Sequence, residues 1–209
     1  MTSFVRRERD DLCDTALAVG PYAPTLCGDW TARDLLAHLY VREHSPVAGL
    51  GVLLTPLAGL TEKAMRRAAS GPYERLVGRV CRTRLTPFTL PGVEPLVNTL
   101  EYLVHHEDLR RARPDWSPRE MAPDDLDAVW TALVRGGRLI AHGCGVPLRA
   151  RRTDTGEERA LTRGDDAVTL VGEPVELALY CFGRTGVARV DLEGSEAALA
   201  ALRPDALGF

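Results

Sequence analysis

The sequence has a single lysine, Lys63, and aromatic residues at only 6% of its positions; it has no CxxC pair and no uncharged run as long as a membrane helix. Each shortage excludes something. The five cysteines, Cys13, Cys27, Cys81, Cys144 and Cys181, are odd in number and scattered. That pattern points to neither a disulfide framework nor a zinc ribbon, and most of the five are expected as buried thiols. The longest uncharged run, Ser45 to Thr61, is interrupted by Pro46, Gly49, Gly51, Pro56 and Gly59 and falls short of the roughly 20 apolar residues that a spanning helix needs. It is expected either as a loop or short helix under the core, or as an apolar wall of a pocket or subunit contact. The start, MTSFVRRERDDL, is charged and carries no apolar h-region, so an amphipathic helix and a cytoplasmic protein are expected.

Nearly all the positive charge is arginine, and the formal net charge of −3 with a pI near 6.0 leaves no basic footprint for nucleic acid. The cluster Arg149 to Arg152 is short and offset by neighbouring acids. No nucleic-acid partner is expected, and Trp30, Trp116 and Trp130 read as packing anchors.

What is present is enough apolar material to fold. With 209 residues and 45% hydrophobic content, the chain suits one large domain or two small ones. Helical spacing runs from Thr2 to Val19, then stops at Gly20-Pro21. Thr31 with Asp34 makes an acidic capping box for a second helix that reaches about Arg42 to His44. Further helical patterns cover Leu60 to Ala69 and Tyr73 to Val80; a proline-rich connection, Thr83 to Pro95, leads into a helix ending near Ala112, and another follows from Pro123 to His142. Four main helices with long connections predict a bundle. After Gly143-Cys144-Gly145 the pattern changes to short strands, PLRARRTD, ERALTR and AVTLVG. A helix from Pro174 to Phe182, a strand around Val187 to Val190 and a terminal helix from Ser195 to Leu202 complete it. The fold class predicted is α+β: a helical bundle over residues 1–145, then a small domain over residues 146–209 with helices on an antiparallel sheet.

Chemistry concentrates in two segments, TARDLLAHLYVRE and NTLEYLVHHEDLRR. Residues four apart share a helix face, so Glu101 and His105 project side by side, with Asp108 near the same line. With His38 they form a candidate metal set. A Glu and a His four apart are ordinarily solvated, but Leu96, Val97, Leu100, Leu103, Val104 and Leu109 flank this pair, and Leu35, Leu36, Leu39 and Val41 flank His38. Buried carboxylates need partners. Asp34 reads either as an acceptor orienting His38 or as a surface partner of Arg33. His106, turned about 100° from His105, reads as a residue behind the ligands or at the surface. Asp108 or Glu107 reads as a base toward metal-bound water, or Asp108 as a helix-surface partner of Arg110 or Arg111. His44 and His142 sit at helix C-termini, where the dipole favours a cation.

These residues resemble the mycothiol-dependent maleylpyruvate isomerase family, related to the DinB-like metal-binding four-helix bundles. The resemblance rests on TLCGDWTARDLLAHLYVRE, NTLEYLVHHEDLRRA, RARRTDTGEERAL and VTLVGEPVELALYCFGR. It implies a divalent metal, zinc in the usual description, held by His38, Glu101 and His105, and a catalytic arginine matching Arg184 in CFGRTG. Read alone, Arg184 is equally a turn residue facing solvent. The resemblance further implies mycothiol as thiol cosubstrate. Its thiolate would add to a cis double bond, allow rotation, and leave the trans product, or would be transferred to an electrophile.

Three ligands leave coordination positions open, as catalytic zinc sites do. The expected function is therefore a metal- and mycothiol-dependent isomerase or S-transferase acting on a small electrophile. A non-catalytic metal-binding protein and a metal-dependent hydrolase are the alternatives. The expected partners are a small-molecule substrate and a low-molecular-weight thiol, with no membrane, in a monomer or homodimer.

Overall fold

The computed structural model describes residues 3–44, 58–82, 95 and 98–208. The uncharged run as far as residue 57 and the proline-rich connection over residues 83–94 lie outside the described residues. The chain divides into two compact units, Met1–Pro118 and Arg119–Phe209.

The first unit is helical. Helix α1 spans Phe4–Val19, α2 Ala32–His44, α3 Ala58–Ala69, α4 Tyr73–Cys81 and α5 Thr99–Arg111. Ser3 caps α1 by accepting from the Arg6 N–H at 3.3 Å, which satisfies one of the donors a helix start leaves open. The helix ends at Gly20, whose φ of 83° would strain a residue with a Cβ and whose N–H returns to the Ala16 carbonyl. At the start of α2 the Asp34 carboxylate accepts from both the N–H and the hydroxyl of Thr31, at 3.0 and 2.6 Å. These two bonds commit Asp34 to the helix terminus, so it neither orients His38 nor rests on Arg33.

The apolar faces converge on one core. Val5, Leu12 and Ala16 of α1 meet Leu35, Leu36 and Leu39 of α2, Leu76, Val77 and Val80 of α4, and Tyr102 and Leu109 of α5. Helix α1 packs on α5 and α4, while α2 packs on α3 and α4. Fully burying one of these leucines contributes about 1.5–3 kcal/mol. Cys13 of α1 and Cys81 of α4 are joined as a disulfide, with Cα atoms 6.2 Å apart. This corrects the reading of unpaired thiols: pairing follows from the approach of two helices, which spacing along the chain does not reveal. Cys144 and Cys181 are buried free thiols, as expected.

In the second unit, α6 (Pro123–Ile140) packs against α7 (Pro174–Cys181). The sequence pattern had grouped α6 with the bundle. Gly137 lets α6 lie close against Leu161, since a Cβ there would lie 2.9 Å from Leu161 Cδ2. Four strands, β1 Leu148–Arg152, β2 Glu158–Ala160, β3 Val168–Gly172 and β4 Asp191–Glu193, form a sheet in the order β2-β1-β3-β4. The outer pairs are antiparallel, but β1 and β3 run parallel, with Leu148 opposite Val168 and Ala150 opposite Leu170. The sheet is thus mixed, not purely antiparallel. Because β2 occupies one edge of β1, the chain crosses back to the other edge and arrives in the same direction.

The strand expected at Val187–Val190 falls instead at Asp191–Glu193. Val187 and Ala188 donate to the Arg184 carbonyl, and Arg189 N–H donates to Glu176 at 2.9 Å, so these donors are spent before the ladder begins. Ser195 caps the final helix, α8 (Glu196–Ala201). The arginine cluster is absorbed within the sheet: Arg149 pairs with Glu158, Arg151 with Glu158 and Glu193, and Arg152 with Asp127 and Asp154. The architecture is α+β, a helical bundle followed by a small C-terminal α+β unit, and no helix among the described residues is long and apolar enough to cross a membrane.

Candidate metal centre

Helix α2 presents His38 and helix α5 presents Glu101 and His105, both helices being held by the leucines on either side of these residues. His38 Nε2 lies 3.1 Å and His105 Nε2 3.6 Å from Glu101 Oε1. All three donor atoms lie within 4.8 Å of one another. Bond lengths of roughly 2.0–2.2 Å in a tetrahedral zinc site put donor atoms about 3.4 Å apart, and the two measured separations bracket that value. The side chains are 8%, 16% and 12% exposed, so the cluster is desolvated without being sealed. The residues fit a divalent ion in both donor type and spacing.

The tautomer of His105 is set from behind. Its Nδ1 lies 2.9 Å from Asp108 Oδ2, and a carboxylate there keeps a proton on Nδ1, so deprotonation of the ring frees the Nε2 lone pair on the Glu101 side. Asp108 is fully buried and also accepts from the Cys27 thiol at 3.0 Å. It is therefore not a surface partner of Arg110 or Arg111. Both of those arginines pair with Glu107, at 2.8 and 2.5 Å, which withdraws Glu107 from the role of base. Trp30 packs its ring 5.2 Å from that of His38.

Glu101 is also tied to a chain of buried polar groups that sequence reasoning missed. Arg42 Nε lies 3.2 Å from Glu101 Oε1, and Arg42 Nη1 donates to Asn98 Oδ1 at 2.8 Å. Asn98 donates in turn to Glu43 at 3.4 Å, and Glu43 pairs through both oxygens with Arg9, which also donates to the Val80 carbonyl at 3.0 Å. The Arg9 guanidinium lies 4.4 Å above the Tyr102 ring. A signal was available, since Arg9 and Glu43 fall on the apolar faces of their helices.

These contacts set the charges. Burial opposes ionisation of Glu101, but Arg42 and the two histidines outweigh it and hold its carboxyl well below the usual range. Burial likewise opposes charging of His105, yet its hydrogen bonds to Asp108, Cys27 and Glu101 outweigh it and raise its pKa well above the ordinary histidine value. His38 goes the other way, because its burial exceeds the pull of Glu101.

The remaining candidates lie elsewhere. His106 is buried, with Nδ1 2.8 Å from Glu8 and Nε2 2.9 Å from the Thr15 hydroxyl, so it fastens α5 to α1 and is neither at the surface nor behind the ligands. His44 and His142 donate to the carbonyls of Tyr40 and Leu139 near helix ends. Arg184 lies in the second unit, in the turn after α7, half-buried and donating to the Phe182 carbonyl at 2.6 Å.

No protein-family model and no curated protein matches the chain. Among solved structures, the mycothiol-dependent maleylpyruvate isomerase superposes with a TM-score of 0.59, covering 92% of this chain and 96% of that one at 16% identity. A variant of that enzyme with one histidine replaced by alanine matches equally. The fold is similar to that of this isomerase.

Proposed function

We propose that the protein is a metal-dependent enzyme that uses a small thiol, mycothiol, on a small electrophilic substrate, as an isomerase or an S-transferase. The observation that carries this reading is the His38, Glu101 and His105 cluster, three donors of the right type and spacing with at least one coordination position left for an outside ligand. Likeness of fold to a mycothiol-dependent isomerase supports the choice of thiol.

A divalent metal, zinc in this proposal, would supply Lewis-acid chemistry, lowering the pKa of a bound thiol so that it is a thiolate at neutral pH. The protein's own residues prepare the place for it. Asp108 keeps the His105 lone pair aimed at the centre, and Arg42 keeps Glu101 ionised and oriented. The five cysteines of the chain need not act as nucleophile. Arg184, with a planar guanidinium suited to a carboxylate, is proposed as the substrate's carboxylate-binding residue. The proposed units for these roles are the bundle and the C-terminal domain, in a cytoplasmic protein.

Elemental analysis of protein purified without a metal-affinity step, with calorimetry of mycothiol binding, tests the reading. Near-stoichiometric metal, lost in His38→Ala and in His105→Ala, with thiol binding only in the loaded protein, is the expected result. Arg184→Ala should keep the metal and lose turnover. Metal retained in both histidine variants would refute the ligand set; metal without thiol binding would favour a non-catalytic metal protein or a hydrolase.

A further inference from the structure

His105 has a second face. While Nε2 looks toward Glu101, Nδ1 looks toward Asp108 Oδ2 at 2.9 Å and the Cys27 sulfur at 3.7 Å, and that sulfur lies 3.0 Å from the same Asp108 oxygen. Three donors of different kinds, a thiol, an imidazole and a carboxylate, thus meet at the Nδ1 edge of the ring. All of their donor atoms lie within 4.8 Å of one another.

We propose that Cys27, Asp108 and His105 Nδ1 form a second metal site, one that takes dications with an affinity for sulfur, such as cadmium. For an ion of zinc's size, bond lengths near 2.3 Å to sulfur and 2.1 Å to nitrogen or oxygen place tetrahedral donors roughly 3.4–3.6 Å apart, and the larger cadmium ion asks for a slightly wider spread. The triangle needs to open by about half an ångström on its two short sides to meet that geometry, and its third side already fits. The backbone around Cys27 is held in place to present it. Leu26 N–H donates to the Asp108 carbonyl at 3.2 Å, and the Thr25 hydroxyl accepts from the Cys27 N–H at 3.1 Å while donating to the Trp30 carbonyl at 2.8 Å. Asp108 is wholly buried and Cys27 is half-buried, so an ion reaches the site from the Cys27 side. The thiolate gives this site a sulfur donor that the His, Glu, His set lacks, so an ion that favours sulfur, such as cadmium, prefers it.

Binding is an exchange of protons for metal. The Cys27 thiol proton passes to water as the metal–sulfur bond forms. The Nδ1 proton of His105 must also leave that nitrogen, and a neutral imidazole then carries its proton on Nε2, where it points at Glu101 Oε1 3.6 Å away. His105 therefore serves one site at a time, and an ion on the Cys27 side deprives the first centre of a ligand. The second site itself does not depend on the proposed function; only the competition between the two sites does.

The test is cadmium binding to the wild type, Cys27→Ser and His38→Ala, each checked for a native far-ultraviolet circular dichroism spectrum. It is read by calorimetry, by the sulfur-to-cadmium charge-transfer band and by X-ray absorption at the cadmium edge. A cadmium–sulfur signal in the wild type and His38→Ala, absent from Cys27→Ser with affinity lower by about tenfold or more, is expected. Cadmium should release zinc stoichiometrically from zinc-loaded wild type. Cadmium bound with no sulfur neighbour in the wild type, or a sulfur signal that survives Cys27→Ser, would overturn the site, and cadmium and zinc held together would overturn the competition. A wild type that takes no zinc but gives the cadmium–sulfur signal would sink the proposed function and leave this site standing.

Discussion

Replacing Glu43 with leucine should be among the most costly single changes in the first unit. Glu43 and Arg9 have side chains 2% and 1% exposed, and the carboxylate takes hydrogen bonds from both Arg9 terminal nitrogens. Two hydrogen bonds to a charged group contribute about 1.5–3 kcal/mol each, and burial of the new leucine side chain returns about 1.5–3 kcal/mol. Arg9 keeps the Val80 carbonyl and the Tyr102 ring, but its charge loses the opposite charge beside it in a nearly dry core. Breaking one partner of a buried pair costs about 3–5 kcal/mol, a large share of a typical stability of roughly 5–15 kcal/mol. The double variant Arg9→Met/Glu43→Leu removes both charges and should return to within about 1 kcal/mol of the wild type or exceed it. Urea unfolding of the wild type, both single variants and the double variant closes the cycle, with a coupling of about 3 kcal/mol expected. A Glu43→Leu cost under about 1 kcal/mol, or a double variant no more stable than that single one, would refute the buried pair.

The first centre should release metal at unusually high pH: a proton held on His105 by Asp108, Cys27 and Glu101 competes with the metal. Affinity should be full above that raised pKa and fall about tenfold per pH unit below it. Asp108→Asn should move the onset to lower pH in a metal-affinity titration; an unchanged onset would refute the assignment. In the metal-free protein the same raised pKa makes His105 stabilising below its unfolded value near 6.5, a contribution lost as pH rises through the folded value. Gly137→Ala should destabilise the second unit by about 1–3 kcal/mol, because the new methyl meets Leu161 backbone and side chain at 2.9–3.2 Å; thermal unfolding followed at Trp130 would read it. Removing the Cys13–Cys81 link, which spans 68 residues of sequence, should cost about 4 kcal/mol on the chain-entropy model, and equal stability of the oxidised protein and Cys13→Ala in urea would refute that.

Periodicity and punctuation by themselves determined most helices. The spacing of Leu35, Leu36 and Leu39 after Thr31 dictates α2 and the inward turn of His38, and a four-residue step on α5 dictates that Glu101 and His105 share a face. Those are local facts, set by the 3.6-residue repeat and by the chemistry of caps. What needed the tertiary structure was every choice among partners far apart in sequence. Asp34 and Asp108 are alike as acids one turn from a histidine, yet the first is spent on the Thr31 cap and the second fixes His105, because only α5 brings its acid against Cys27 across 81 residues. The Cys13–Cys81 link, the parallel β1–β3 pair and the chain from Arg9 to Glu101 have the same origin. A sequence pattern states which face of an element is apolar, but which other element covers that face is decided by packing the whole chain.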